Sequence, residues 1–225
     1  MMKRGRLLLG SQSPRRRELL KLLGLPFNVT TPDVTEAPRS DEPPHALAAR
    51  LARAKARTVA EDAPSAGEIV IGCDTVVALE GQVLGKPSGA EEATRMLRRL
   101  RGRSHTVYSG LSLEEAGNGQ NVTTTVKTHV VMRDYTEEEL AAYVASGDPL
   151  DKAGAYAIQH PGFHPVARIE GCYANVMGLP LCHLTQALRA WGVEPRADVP
   201  ANCQHHNQTN CPFYDHILSE PMRYR

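Results

Sequence analysis

Short apolar runs alternate with amphipathic helical segments through most of this chain, and this alternation most constrains the fold. Residues 7–9 and 69–71 are apolar runs of strand length. Residues 14–23 and 44–60 instead place their apolar side chains at helical spacing. Further strand-like runs occur in adjacent pairs between helices. The pattern predicts an α/β fold with a mixed β-sheet and flanking helices.

Charge and cysteine content exclude several classes of protein. The 225 residues carry 26 basic and 25 acidic side chains, a net charge of +1. Such a chain has no basic field for duplex nucleic acid, so we expect no nucleic acid partner. Five cysteines without a CxxC motif favour a reducing cytoplasmic location. The apolar run near the N-terminus is too short for a signal peptide or a membrane span, so no membrane association is expected.

The composition changes near Val193. Residues beyond it are rich in Pro, Asn, Gln, His and Cys and lose apolar periodicity. We therefore predict one domain over residues 1–192, ending in a helix over residues 179–191, and a tail over residues 193–225 without regular structure. Cys203, His205, His206 and Cys211 are metal-capable, but their spacing matches no zinc module well. A disordered tail is favoured, and a zinc site is the alternative.

A basic segment follows the first predicted strand. Ser13 is a suitable N-cap and Pro14 a suitable first helical residue. Arg15 and Arg16 then lie at a helix N-terminus, where free N–H groups attract anions and guanidinium groups grip phosphate oxygens. Arginine is unfavourable there against the helix dipole, which points to a function. A solvated basic turn is the alternative.

An acidic residue follows the second buried run, in the segment Gly72-Cys73-Asp74-Thr75. We expect the strand to end in this segment and to continue over residues 76–79, which would place Asp74 at the carboxyl edge of the sheet, where α/β proteins bind ligands. Asp74 could activate water or hold a metal, or it could simply cap a turn. The small residues of segment 151–159 suit a loop facing a ligand. Lys55, Lys86 and Glu36 carry little weight taken singly.

Five short motifs occur in a fixed order. They are Ser11-x-Ser13-Pro-Arg-Arg, Gly72-x-Asp74-Thr75-x-Val77, Gly85-Lys86-Pro87, Asp151-Lys-Ala-Gly-Ala-Tyr-Ala-Ile-Gln159 and Ile169-Glu-Gly171…Asn175-Val-x-Gly178-Leu-Pro180. In this order they closely resemble the Maf family of nucleoside triphosphate pyrophosphatases. The resemblance covers about residues 6 to 192 and leaves out the tail.

The resemblance implies a fold related to the inosine triphosphatase family, with an elongated mixed sheet, two lobes around a cleft and often a homodimer. It implies cleavage of the α–β phosphoanhydride bond of a nucleoside triphosphate with Mg²⁺ or Mn²⁺. Asp74 would accept the proton of the attacking water and, with Glu36, hold the metal. The triphosphate would be bound by Arg15, Arg16, Lys55 and Lys86, with Ser11 or Ser13 lining the same loop.

The resemblance also separates subgroups by the base. Thr75 and Gln159 resemble the subgroup that acts on dTTP and UTP, and Arg15 would be the third specificity position. A Gln amide offers both a donor and an acceptor to the imide edge of a pyrimidine. The alternatives are a 7-methyl-GTP pyrophosphatase and a nucleotide-binding regulator of septum formation with little turnover. Thr35 departs from the family pattern, because it replaces an acid that could be a second metal ligand.

Overall fold

The computed structural model describes residues 6–63 and 65–220, and these form one sheet with helices on both faces. The strands are β1 (Leu7–Gly10), β2 (Phe27–Thr30), β3 (Ile69–Leu79), β4 (Gln82–Leu84), β5 (Ser104–Glu115), β6 (Asn121–Met132) and β7 (Val166–Glu170). The helices are α1 (Pro14–Lys21), α2 (Pro44–Glu61), α3 (Ala90–Leu100), α4 (Glu137–Ala145), α5 (Tyr173–Met177), α6 (Leu181–Ala190), α7 (Val199–Asn207) and α8 (Tyr214–Ser219).

The sheet is mixed, as the sequence predicts. Its order is β2-β1-β3-β5-β6-β7, and β4 pairs with β3. The strands β1, β2 and β3 are parallel, whereas β3, β5, β6 and β7 form an antiparallel series. The parallel part requires the crossover helices α1 and α2. In the antiparallel part, short turns join β3 to β4 and β5 to β6, whereas α3 lies between β4 and β5 and α4 lies between β6 and β7.

Capping and turn residues set several of the element boundaries. Thr136 and Glu139 form a capping box at the start of α4. Glu80 and Gly81 both have positive φ, 52° and 81°, which is the geometry of the tight turn joining β3 to β4.

One edge of β3 is open for part of its length. The strand β1 pairs with β3 as far as Gly72, and β4 pairs with it only from Val77 onward. Residues 73–76 lie between these two partners. The expectation that the strand is interrupted at residues 72–75 is therefore wrong: Asp74 lies inside β3, which β5 pairs from Ile69 to Ala78. Asp74 nevertheless lies beyond the carboxyl end of β1, so it borders an opening in the sheet.

Two separate apolar cores divide the molecule into lobes that share the long strands. The first core joins α1, α5 and α6 to one end of β3 and includes Leu9 and Ile71. The second joins α3 and α4 to the other end of the same strands and includes Val77 and Val130. Because β3, β5 and β6 run through both cores, the two lobes are connected by the sheet, with the opening between them.

The helix α2 packs very closely on the face of the sheet opposite the two cores. A Cβ at Gly72 would lie 2.2 Å from the carbonyl oxygen of Ala52, and one at Gly110 would lie 2.0 Å from that of Ala48. The two glycines therefore allow the helix backbone to touch the strands. This close approach also carries Lys55, one turn from Ala52, to the opening in the sheet.

The C-terminal segment differs from the prediction. It contains α7 and α8, so the expected disordered tail is wrong. The helix expected over residues 179–191 spans only residues 181–190, as α6, and it is not the last helix. The side chain of Val199 is buried in the first core. The amide of Arg196 donates to the carbonyl of Leu23 at 3.0 Å, and the side chain of Asn202 donates to that of Leu22 at 3.2 Å.

Two further predictions concern metal and membrane. Within residues 6–63 and 65–220, no three His, Cys, Asp or Glu side chains are grouped so as to hold a metal ion. None of the helices in those same ranges is both long and apolar enough to cross a bilayer.

Candidate active site

A cleft of about 960 Å³ opens where β3 lacks a neighbour, between the two lobes. This volume is that of a site for a ligand of nucleotide size. Every residue that the sequence singles out for the site lines this one cleft: Ser11, Ser13, Arg15, Arg16, Glu36, Lys55, Asp74, Thr75, Lys86 and Gln159. Since neighbouring side chains of a strand point to opposite faces, the open edge exposes both Asp74 and Thr75 to the cleft.

The first wall of the cleft is the loop from β1 into α1. Ser13 is the N-cap of α1, and its hydroxyl accepts from the amide of Arg16 at 3.4 Å. Ser11 is buried, and its hydroxyl accepts from the amide of Ser13 at 3.2 Å. The first turn of α1 carries no acidic side chain. The loop therefore combines amide groups, hydroxyls and arginines around a place suited to an anion.

Arg16 is held mainly by groups of the protein itself. Its guanidinium donates to the carbonyl of Gly178 at 2.9 Å, to the hydroxyl of Thr75 at 3.0 Å and to that of Ser11 at 3.3 Å. These bonds join α1, β3 and the end of α5. Arg15 lines the cleft, and its charge opposes the increase that burial and Asp148 cause in the pKa of Tyr143.

A buried ion cluster forms the opposite wall. The ammonium of Lys55 lies 2.6 Å from Oδ1 of Asp74 and 2.5 Å from Oε1 of Glu36. Lys55 and Asp74 are both buried, whereas half of the Glu36 side chain is exposed. Partial burial acts to raise the pKa of Glu36, but the hydrogen bond and charge of Lys55, together with Lys86 and Arg16, lower it overall. Lys55, predicted to bind phosphate, thus bridges the two acids.

These two carboxylates fit a hard divalent cation. Mg²⁺ is usually bound by one or two carboxylates together with water and substrate phosphates, so it does not need three protein ligands. Glu36 and Asp74 are held by one ammonium, and each uses a single oxygen for it. The donor set is therefore suited to Mg²⁺ or Mn²⁺ bound jointly with a triphosphate.

A polar network lies behind Thr75 that the sequence gives no sign of. The Thr75 and Ser109 hydroxyls lie 2.9 Å apart, and Ser109 donates to the carbonyl of Asn175 at 3.0 Å. Ser109 and Asn175 are fully buried and come from β5 and α5. The side chain of Asn175 donates in turn to Thr128 on β6 at 3.0 Å. Thr75 is therefore positioned from three neighbouring elements.

The segment of residues 151–159 closes the far end of the cleft. Gln159 is exposed on the cleft wall. Gly154 has a φ of 70° and packs against Val77, which favours glycine there. Lys152 was not singled out from the sequence, yet it is buried on the cleft wall and paired with Asp148 at 3.0 Å and Asp151 at 2.6 Å. The position of Lys152 close to two acids in the sequence was the signal that could have identified it.

The fold and this cleft together define a class of protein. An α/β protein whose sheet opens beside a helix N-terminus, with arginines and lysines facing two carboxylates, is suited to bind a polyanion together with a metal. A scan against family models matches residues 6–191 to the family described as Maf-like protein. The chain belongs to the Maf family, as the five motifs predicted.

Several curated relatives match nearly the whole of their own length. A dTTP/UTP pyrophosphatase of Moorella thermoacetica is 48% identical over 84% of this chain and 96% of its own. A dTTP/UTP pyrophosphatase of Geobacter sulfurreducens is 45% identical over 85% of this chain and 99% of its own. A nucleoside-triphosphatase / dITP/XTP pyrophosphatase of Mycobacterium abscessus aligns over 90% of this chain and 91% of its own at 13% identity and a TM-score of 0.40, below the level at which two folds are equated.

Proposed function

We propose that this protein hydrolyses dTTP and UTP to the nucleoside monophosphate and pyrophosphate. The observation that carries the proposal is the single cleft in which Asp74, Glu36 and Lys55 face the phosphate-binding loop of Ser11 and Arg15. The names of the relatives at 43–48% identity support the substrate.

The chain supplies the groups that this reaction needs. A water oxygen attacks the α-phosphorus, the bond to the bridging oxygen of the β-phosphate breaks, and pyrophosphate leaves. Lys55 occupies Oδ1 of Asp74, so we assign Oδ2 as the oxygen that takes the proton of the water. An ammonium has three donors, and two of those of Lys55 serve Asp74 and Glu36. The third can meet a phosphate oxygen.

The positive charge around the cleft matches the charge that develops on the leaving pyrophosphate. Lys86, Arg15 and Arg16 line the cleft with the amides of the α1 N-terminus. Such fixed donors stabilise a transition state without having to reorganise. Glu36 and Asp74 would hold Mg²⁺ or Mn²⁺. When bound, the metal would add a Lewis acid at the phosphate oxygens.

The base would be read by Thr75 and Gln159, with Arg15 as a third contact. A uracil or thymine edge presents an imide N–H between two carbonyls. Gln159 is an exposed amide on the cleft wall that offers a donor and an acceptor. Thr75 also lines the cleft and is held by the buried network. Both side chains therefore suit a pyrimidine edge.

The test is pyrophosphate release from a panel of nucleoside triphosphates, including 7-methyl-GTP, with Mg²⁺ or Mn²⁺. Asp74→Asn is expected to retain nucleotide binding and lose turnover, because an amide cannot accept the proton. Asp134→Asn is the matched control, since its side chain is 91% exposed and lies outside the cleft.

Each outcome is decisive. Hydrolysis of dTTP and UTP that is lost in Asp74→Asn but kept in Asp134→Asn supports the proposal. Hydrolysis of 7-methyl-GTP alone would keep the reaction and refute the base assignment. Binding without turnover of any nucleotide would favour a nucleotide-binding regulator of septum formation.

We also propose that residues 1–192 carry the activity as a homodimer, with residues 193–225 as an accessory segment. Every predicted site residue precedes Val193, and the family match ends at residue 191. Light scattering of the purified chain measures the oligomeric state, and a monomer at micromolar concentration would refute the dimer.

A further inference from the structure

Beyond the cleft wall, a chain of hydroxyl groups runs from Arg16 into the sheet. The guanidinium of Arg16 donates to Thr75, the hydroxyls of Thr75 and Ser109 are 2.9 Å apart, and Ser109 lies 3.0 Å from the carbonyl of Asn175. Ser109 is fully buried and does not line the cleft, whereas Thr75 does. Ser109 therefore acts on any ligand only through Thr75.

The direction of each hydrogen bond follows from the number of protons available. A guanidinium only donates and a carbonyl only accepts, while each hydroxyl has one proton to give. If Ser109 donates to the carbonyl of Asn175, Thr75 must donate to Ser109. The reverse direction would leave the proton of Thr75 with no acceptor in this chain of groups, because Arg16 cannot accept. It would also leave the oxygens of Ser109 and of the Asn175 carbonyl 3.0 Å apart with no proton between them, which is unfavourable inside the protein, so the first arrangement is favoured.

The arrangement decides what Thr75 offers to the cleft. Its proton is given to Ser109, and one of its two lone pairs accepts from Arg16. The remaining lone pair faces a ligand as an acceptor.

We propose that Ser109 is a specificity-determining positioning residue, which makes Thr75 a pure acceptor toward position N3 of the base and so selects uracil and thymine against cytosine. Uracil and thymine carry a proton on N3, which an acceptor stabilises. Cytosine carries a lone pair on N3, which an acceptor repels. The inference rests on the proposed function, because it names how that same site distinguishes pyrimidines.

The test compares kcat/KM for UTP and CTP in variants of β5. In Ser109→Ala the proton of Thr75 loses its acceptor and can turn toward the cleft. The ratio of kcat/KM for UTP over CTP is then expected to fall about fivefold or more, the effect of one hydrogen bond. Ser109→Thr keeps the hydroxyl and is expected to keep the ratio. Ser112→Ala, on the same strand, removes an equally buried hydroxyl that bonds Thr123 instead, and should leave the ratio unchanged.

If Ser109 had only a structural role, its substitution would lower kcat/KM for both substrates together and leave their ratio unchanged. An unchanged ratio in Ser109→Ala, with UTP hydrolysed by the wild type, overturns the inference and leaves the proposed function intact. If the wild-type protein hydrolyses neither UTP nor dTTP, both the inference and the proposed function are overturned. Ser109→Cys, which keeps the volume and weakens the acceptor, replaces Ser109→Ala should the latter not fold, with the same expected fall.

Discussion

Substituting Gly72 with Ala is expected to disturb both stability and activity, because α2 touches the sheet at that residue. The new Cβ would lie 2.2 Å from the carbonyl oxygen of Ala52 and 2.6 Å from the amide nitrogen of Ala56, and both are rigid helix backbone. The helix must retreat by more than an ångström to reach ordinary contact. Overpacking of this kind costs about 3 kcal/mol of the free energy of unfolding.

The same retreat would separate Lys55 from Asp74, because Lys55 lies on the turn of α2 between Ala52 and Ala56. Since the two groups are 2.6 Å apart, a movement of that size breaks the contact and should lower kcat well before the protein unfolds. Urea denaturation and pyrophosphate release measure the two effects.

Gly162→Ala is the matched control for this experiment. Its Cβ would be 3.6 Å from the nearest atom, an ordinary contact, and the residue has no positive φ. The control is expected to stay within about 0.5 kcal/mol of the wild type. A Gly72→Ala variant as stable and as active as Gly162→Ala would refute the argument that α2 needs a glycine beneath it.

Three further predictions concern charge and packing. Lys55→Met is expected to lower kcat about 100-fold or more, since it removes a fixed cation from the cleft; steady-state pyrophosphate release near the wild-type rate would contradict this. Burial lowers the pKa of His183 to about 4, so the unfolded state binds more protons between pH 4 and 6.5 and stability falls as the pH drops through that range. His183→Gln should therefore reduce the slope of the unfolding free energy against pH in this range by up to about 1.4 kcal/mol per pH unit. Urea denaturation of both proteins at several pH values measures the two slopes, and equal slopes would refute the prediction. Val199→Ala is expected to cost about 1.5 kcal/mol, because Val199 is buried in the first core, and a change near zero in urea denaturation would show that α7 is not anchored there.

Local signals predicted much of the fold. The cap at Ser13 was predicted from residues that lie within a few positions of one another, and the capping box at Thr136 and the turn at Glu80-Gly81 have the same local origin. Such short-range interactions can be predicted from the sequence without knowledge of the tertiary contacts. The motifs likewise contain eight of the ten cleft residues named from the sequence, whereas Glu36 and Lys55 were named only from the family resemblance; the individual roles stay predictions.

The errors arose where a distant partner decides the structure. Gly72 and Asp74 look like a turn, yet the strand continues because β5 pairs with it on the other side. The helix α7 shows little apolar periodicity, since Val199 and Cys203 are its contacts with the first core, so its sequence resembles a tail.

The sequence by itself determined the α/β class, the start of α1 at its cap and the set of acids, cations and amides that meet in the cleft. The tertiary structure alone decided that the sheet opens beside residues 73–76, that Lys55 bridges Asp74 and Glu36, and that Ser109 lies behind Thr75. The physical reason is the range of the interactions. A cap or a turn needs neighbours along the chain, whereas an open strand edge, a buried ion cluster and the direction of a hydroxyl proton depend on groups that folding brings together from separate elements.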